Sequence, residues 1–390
     1  MKKRRLLLFF ILLALIFSFG GVAFGEEESV ERKLEEELDA QLDALDLREF
    51  EQFVKRLDGQ TFSDGFGDAV KKLLDGEEVF SLSTISELIG ENVLKELLFG
   101  VPICASIILI CVLSSTLSRF SSKITGNATE NIVKFVCYCS VLIILVSAVY
   151  SLADSVKDTI LSITTFMNII FPVLVTLLAI VGGSGSAGLF SPYLAILSSG
   201  LVNGLNGIII PIFFACITMS IVGGVTDSVK LDGLRKGLKS CCDWLLGLGF
   251  GVFCTFLTGQ SILTGGIDGV TVKATKFALS SYVPVLGGYL SDGFDIVLAG
   301  SVLIKNAIGI TGIFVILFLV LAPLLKLVVF SVILKISSGV AQTIGDHKIS
   351  NLLSGVSSTI GMLISLLLGT AFVFFFVVIL IVYTVNGGVI

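Results

Sequence analysis

Residues 132–152 read IVKFVCYCSVLIILVSAVYSL, an apolar stretch whose single charge is Lys134. A helix of about 20 apolar residues crosses the roughly 30 Å of bilayer hydrocarbon, whereas a helix of a soluble protein keeps one polar face. Comparable runs occupy 97–118, 164–181, 244–264 and 360–385. Three longer regions are interrupted. Residues 190–222 contain Asn203, Asn206 and Pro211. Residues 277–303 contain Pro284, Gly287, Gly288, Asp292 and Asp295, and 308–334 contain Pro323 and Lys326. They read as long kinked helices or as pairs of half-helices, with Pro172, Pro211, Pro284 and Pro323 as candidate helix breaks. The expected fold is an all-α integral membrane protein. It is a polytopic helical bundle of about seven to nine spans, some broken, with a small helical N-terminal region outside the cytoplasm.

Composition agrees. Mean hydropathy is +1.00, and only 15% of residues are charged, against roughly a quarter in soluble domains. The charges are segregated. Residues 26–96 hold 21 acids and 8 bases, whereas 97–390 hold 10 acids and 14 bases, with no Glu after Glu130. So few charges cannot cover a soluble fold of that size, but a bundle solvated by lipid does not need them. No basic strip with interleaved aromatics suggests nucleic acid.

Residues 1–25 read as a signal peptide: a basic start, an apolar core, then Ala23-Phe24-Gly25 before Glu26, with cleavage expected after Gly25. Residues 26–96 form an acidic, amphipathic-helical extracytoplasmic region. In it Leu34, Leu38, Leu42, Leu45, Phe53, Val54 and Leu57 recur at helical steps, and two shorter helical stretches follow around 68–74 and 85–98. Its surface reads either as a docking site for a partner or as a cap packed on the bundle. Residues 97–390 are the polytopic domain.

Within that domain Pro172 and Pro284, and likewise Pro211 and Pro323, share one offset, which also aligns the polar connections 227–240 and 339–352. Residues 164–264 and 276–376 are therefore a candidate internal repeat, an arrangement on which many transporters are built. The positive-inside rule assigns the connection with Arg119 and Lys123 to the cytoplasm. The connection with Lys230, Arg235, Lys236 and Lys239 falls there too. With 132–152 running outward and 164–181 inward, the second assignment requires an even number of crossings, or a re-entrant pair, between 182 and 225. The 227–243 connection itself suits a short helix lying on the cytoplasmic leaflet, or a partner-binding loop.

Candidate chemistry concentrates in 282–306, YVPVLGGYLSDGFDIVLAGSVLIKN. Ionisable groups at bilayer depth usually face a partner or water. Asp292, Asp295, Lys305 and Asn306 are thus candidate pore or ion-path residues, the acids binding a cation or proton or pairing with Lys305 or Lys326. The alternative is a polar turn at the membrane surface. No catalytic, cofactor-binding or metal-binding set is expected. The glycine-rich 182–186 lacks the Lys-Ser/Thr of a phosphate loop, and the eight cysteines form no C-x-x-C. The lone His347 lies in a polar connection, which leaves no Ser/His/Asp set.

Taken in order, the signal sequence, LDALDLREFEQFVKRL at 42–57, KKLLDGE at 71–77, PVLGGYLSDGFD at 284–295 and SVLIKNAIG at 301–309 resemble the stage III sporulation protein AE family of endospore-forming bacteria. The resemblance covers nearly the whole chain. It implies a multi-pass subunit in the mother-cell-derived membrane around the forespore, with its N-terminal region in the intermembrane space. The partners implied are other membrane proteins of a secretion-like channel complex, in which the chain would be the permease- or export-gate-like component. It supplies no catalytic residues. A stand-alone secondary transporter with an intramembrane acidic site is the alternative.

Overall fold

A computed structural model describes residue 38 and residues 50–53, 66–75, 82–124, 127–181, 184–225, 231–282 and 287–384, with the backbone alone in 260–282, 287–293 and some shorter stretches. Seven helices of eight residues or more are described: α1 Phe66–Leu74, α2 Leu82–Ile124, α3 Asn127–Ile180, α4 Ser184–Val225, α5 Asp232–Tyr282, α6 Gly287–Ile344 and α7 His347–Tyr383. No strand occurs among the described residues. Six of the helices, α2 to α7, are long and apolar enough to cross a membrane. The protein is an all-α polytopic membrane protein. The signal peptide, most of the acidic region and Pro284 lie outside the described residues.

The count is six because runs expected to be separate spans are fused. Residues 132–152 and 164–181 lie on one helix, α3, of 54 residues. At about 1.5 Å per residue it is roughly 80 Å long. Asp154, Lys157 and Asp158, expected in a connection, sit on its exposed face, while Val156, Ile160 and Ile163 are buried on the other. Likewise α6 runs through 58 residues that were expected to be interrupted. With α3 a single helix and α4 unbroken, the re-entrant pair is no longer needed.

The proline breaks are also corrected. The helices continue through Pro172, Pro211 and Pro323. In apolar surroundings no water competes for the backbone, so a helix tolerates the one hydrogen bond each proline removes. The Thr176 hydroxyl donates to the Pro172 carbonyl at 2.8 Å, tightening the turn that follows.

α6 and α7 form an antiparallel hairpin at the core. Gly345, at φ +97°, ends α6 in the left-handed region that glycine enters without penalty. Asp346 then caps α7, its carboxylate accepting from Ile349 N at 3.2 Å and from the Ser114 hydroxyl of α2 at 3.0 Å. Along the seam Ser338 pairs with Ser350 (Oγ···Oγ 3.1 Å) and Ser331 with Ser357 (3.0 Å). Within each pair the hydroxyls also donate to the other residue's carbonyl. Two glycines bring helices close. A Cβ at Gly309 would meet Val382, and one at Gly369 would meet the ring of Phe250.

The other helices surround this hairpin. α2 runs parallel to α6, with Cys104 Sγ 3.1 Å from Ser337 Oγ. α3 and α4 are antiparallel, and Tyr138 donates to the Ile221 carbonyl at 2.7 Å. Of the N-terminal region, Phe50 and Phe53 are buried against Phe166 of α3, with ring centroids 6.3 and 5.5 Å away. In α1, Ala69 and Val70 are buried while Asp68 and Lys71 face out. Among the described residues of this region, Phe50, Phe53, Ala69 and Val70 are thus turned away from solvent.

Candidate functional site

Among the described residues, the basic groups buried inside this apolar bundle fall in two places. The first is the N-terminal half of α6. Asp295 is half-buried, Lys305 is fully buried and Asn306 is half-buried. Asp292 lies on α6, its side chain outside the described residues. Lys305 Nζ donates to the Thr384 carbonyl at 2.7 Å. Thr384 is the C-cap of α7, where the helix dipole presents partial negative charge and favours a cation. A buried lysine so held closes the end of the hairpin opposite Asp346.

Along α6 Asp295 lies far from both lysines with which pairing was expected. Asp295 and Lys305 are separated by roughly 15 Å of rise and about 80° of turn, and Lys326 is roughly 46 Å further along from Asp295. Asp295 lies instead at the edge of the buried stripe that continues through Leu298.

The second place joins α4, α5 and α7, and was not expected. Residues 232–243 are the first turns of α5, continuous with the run that follows, and not a separate helix on the leaflet. Arg235 is 8% exposed. It donates to the Gly355 carbonyl at 3.2 Å and to Asp232 Oδ1 at 3.1 Å. One turn on, Lys239 Nζ donates to the carbonyl and, at 3.1 Å, to the hydroxyl of Ser358. The glycine at 355 leaves room, since a Cβ there would sit 2.9 Å from Ser220 Oγ and 3.7 Å from Arg235 Cζ. The signal was present in the sequence. Positions 235, 239, 242 and 246 share a helical face, and Cys242 and Leu246 are buried on it.

Neither place assembles reactive groups. Among the described residues no cluster of three or more His, Cys, Asp or Glu is placed to hold a metal. His347 is exposed at the start of α7. The cysteines are free. Where α3, α4 and α7 meet, a small crevice is lined wholly by apolar side chains, among them Leu145, Val149, Ile217, Ile221, Leu352 and Val356. What the arrangement does is hold charges at helix ends and crossings, fixing how long helices register against one another.

The family model for stage III sporulation protein AE matches residues 65–385 of this chain. Stage III sporulation protein AE of Bacillus subtilis (strain 168) is 23% identical over 294 residues, covering 75% of this chain and 73% of that protein. No solved structure matches.

Proposed function

The chain belongs to the stage III sporulation protein AE family, and on that premise we propose that this sporulation membrane protein is a non-enzymatic subunit of a channel complex linking mother cell and forespore. It acts there as the permease- or export-gate-like component, in the mother-cell-derived membrane, with its N-terminal region outside the cytoplasm.

One observation carries the reading. Taken as single crossings, the six long described helices bring the connections richest in bases to one end of the bundle. Arg119 and Lys123 flank the α2–α3 link, Lys230, Arg235, Lys236 and Lys239 the α4–α5 link, and Lys348 the α6–α7 link. The links at the other end, 181–183 and 283–286, contain no charge, and the bases nearest them are Lys273 and Lys276 of α5. The positive-inside rule makes the basic end cytoplasmic. The N-terminal region, seated on Phe166 toward the neutral end, is then in the compartment where partners from the opposing membrane reach it. Bases turned into the bundle, as at Arg235, support a structural subunit better than a solute carrier.

The alternative, a stand-alone secondary transporter, is supported by the half-buried Asp295 on α6. Purification of the tagged chain from sporulating cells and reconstitution of the pure chain in vesicles separate the two. A channel subunit co-purifies with other membrane proteins in fixed proportion and is inactive alone. Solute or ion flux by the pure chain, abolished by Asp295→Asn, would overturn the subunit reading.

A further inference from the structure

We propose that the outward face of α3 from Ser151 to Thr176 stands against water and not lipid, as one wall of a water-filled vestibule that further subunits close around it. The inference rests on the channel-subunit reading and names the face that such a subunit turns to the conduit.

The bundle is two-sided at a single depth. Val149 of α3 lines the same crevice as Val356 of α7, and the next residue, Ser357, pairs with Ser331 of α6. Further along α3, Phe166 and Ile170 lie against Gly312 of α6. Asp154, Lys157 and Asp158 are therefore between the levels of Ser331 and Gly312. There α6 turns Val328 outward, 40% exposed. α5 passes the same level, since Lys239 meets Ser358 and Phe250 meets Gly369 of α7. It turns Trp244 and Leu248 outward, 66% and 45% exposed. Asp243 and Lys326, the charges that α5 and α6 bear between these levels, are half-buried. Hydrocarbon suits the α5–α6 side of the bundle. On α3 all three ions are exposed.

These ions belong to a longer track. Ser151, Asp154, Asp158, Thr165, Asn168 and Thr176 recur at helical steps on one exposed face, interrupted by Leu161 and Pro172. On the opposite face Val156, Ile160, Ile163 and Ile170 are buried. Nearer the basic end the outward residues are Ile132, Val136, Ile143 and Val146, 43–69% exposed. α3 thus changes solvent along its outer face while its inner face keeps one character. α4 packs beside it, with Tyr138 donating to the Ile221 carbonyl. Among its outward residues from Gly200 to Thr218, Ile208 is the one large aliphatic; Asn203, Gly204, Gly207 and Ala215 share that face.

Water fits this face better than lipid or a dry helix contact. Thr176 satisfies itself on the Pro172 carbonyl, as a hydroxyl in hydrocarbon must. Asp154, Lys157 and Asp158 make no ion pair among the described residues, and ions at bilayer depth face a partner or water. Asp154 and Asp158 stand one turn apart with like charge. A dry contact would strengthen their repulsion, whereas water screens it. The track is roughly 38 Å long at 1.5 Å per residue, more than the roughly 30 Å of hydrocarbon. It therefore leaves the bilayer toward the neutral end, where the vestibule opens.

The test is labelling of single cysteines by a water-soluble maleimide, in the cysteine-free full chain purified with its membrane partners from sporulating cells and held in lipid nanodiscs. Ser151→Cys, Thr165→Cys and Asn168→Cys are expected to label at least tenfold faster than Leu248→Cys and Val328→Cys. Equal, slow labelling at all five overturns the proposal. So does labelling of the three in the chain alone that is lost in the complex, which would make the face a helix contact and leave the channel-subunit reading standing. If nothing co-purifies, that reading fails instead. The pure chain in nanodiscs then decides the face: the tenfold ratio keeps it in water, and its absence overturns the proposal. The unaltered pure chain supplies a second readout, because Trp244 is its one tryptophan. Lipid brominated on its acyl chains is expected to quench Trp244 emission, and aqueous iodide to leave it unchanged. The reverse would put the α5–α6 side in water and overturn the two-sided bundle.

Discussion

The α6–α7 hairpin and the α2–α3 hairpin are both strongly apolar, yet they use that apolarity in opposite directions. In the most apolar stretches of α7 and α6, 50% and 44% of residues are buried, against 24% in α2 and 22% in α3. The inner pair is held by close glycine contacts, reciprocal serines and capped ends. The outer pair presents leucine, valine and isoleucine to its surroundings. Hydropathy finds both equally well and distinguishes neither. What separates them is where small and polar residues fall on each helical face.

The sharpest way to break this comparison is to add one methyl group at a close contact. Gly369→Ala and Gly309→Ala push a Cβ into Phe250 and Val382, at an expected cost of up to about 3 kcal/mol. Gly90→Ala on α2, where nothing lies within 4 Å, is expected to be neutral or to stabilise by up to about 1 kcal/mol. Thermal unfolding in detergent compares them, and equal shifts would erase the distinction between core and rim.

A smaller effect is expected from charge. Arg235→Met removes the charged donor from the Gly355 carbonyl, which keeps the Thr359 hydroxyl, and should destabilise by about 2 kcal/mol. Lys134→Met on α3, removing the rim pair with Glu130 at 2.6 Å, should change stability by less than about 1 kcal/mol. If the two variants melt alike, the buried arginine is not a fastening.

Smaller again is the serine seam. A double-mutant cycle on Ser338→Ala and Ser350→Ala should give a coupling of about 0.6 kcal/mol, and zero coupling would mean that apolar packing alone holds the hairpin. The smallest stability effect belongs to Lys305→Met. It exchanges a buried charge for an apolar side chain of similar length, and is expected to be nearly neutral for folding. Spore formation by cells carrying it is the informative measurement. If Lys305 only caps α7, sporulation persists; its loss with the melting temperature intact would return Lys305 to an ion path.

Most of the fold was legible because apolar runs need no phase information to be seen. The fusion of 132–152 with 164–181 was not. Asp154, Lys157 and Asp158 look like a connection when hydropathy is averaged along the chain. Placed on a helix, however, they share one exposed face while Val156 and Ile160 continue the core on the other. The prolines misled for a related reason, since a proline that stops a helix in water need not stop one in a packed apolar bundle. At the candidate site, Lys305 was visible as an ion out of place, but its acceptor at Thr384 is far along the chain and no local pattern points to it. Arg235 was hidden by its company: among Lys230, Lys236 and Lys239 it reads as one more solvated base, until the helical phase of Cys242 and Leu246 turns it inward.

The contact between Lys305 and Thr384 also sets a clock. The two residues are 79 positions apart in the chain. At roughly 5–20 residues per second of synthesis, the acceptor follows the lysine by about 4 to 16 seconds. For that interval α6 holds a cationic side chain whose cap on α7 does not yet exist. The capped arrangement at Lys305 is therefore complete only once the end of α7 has been made.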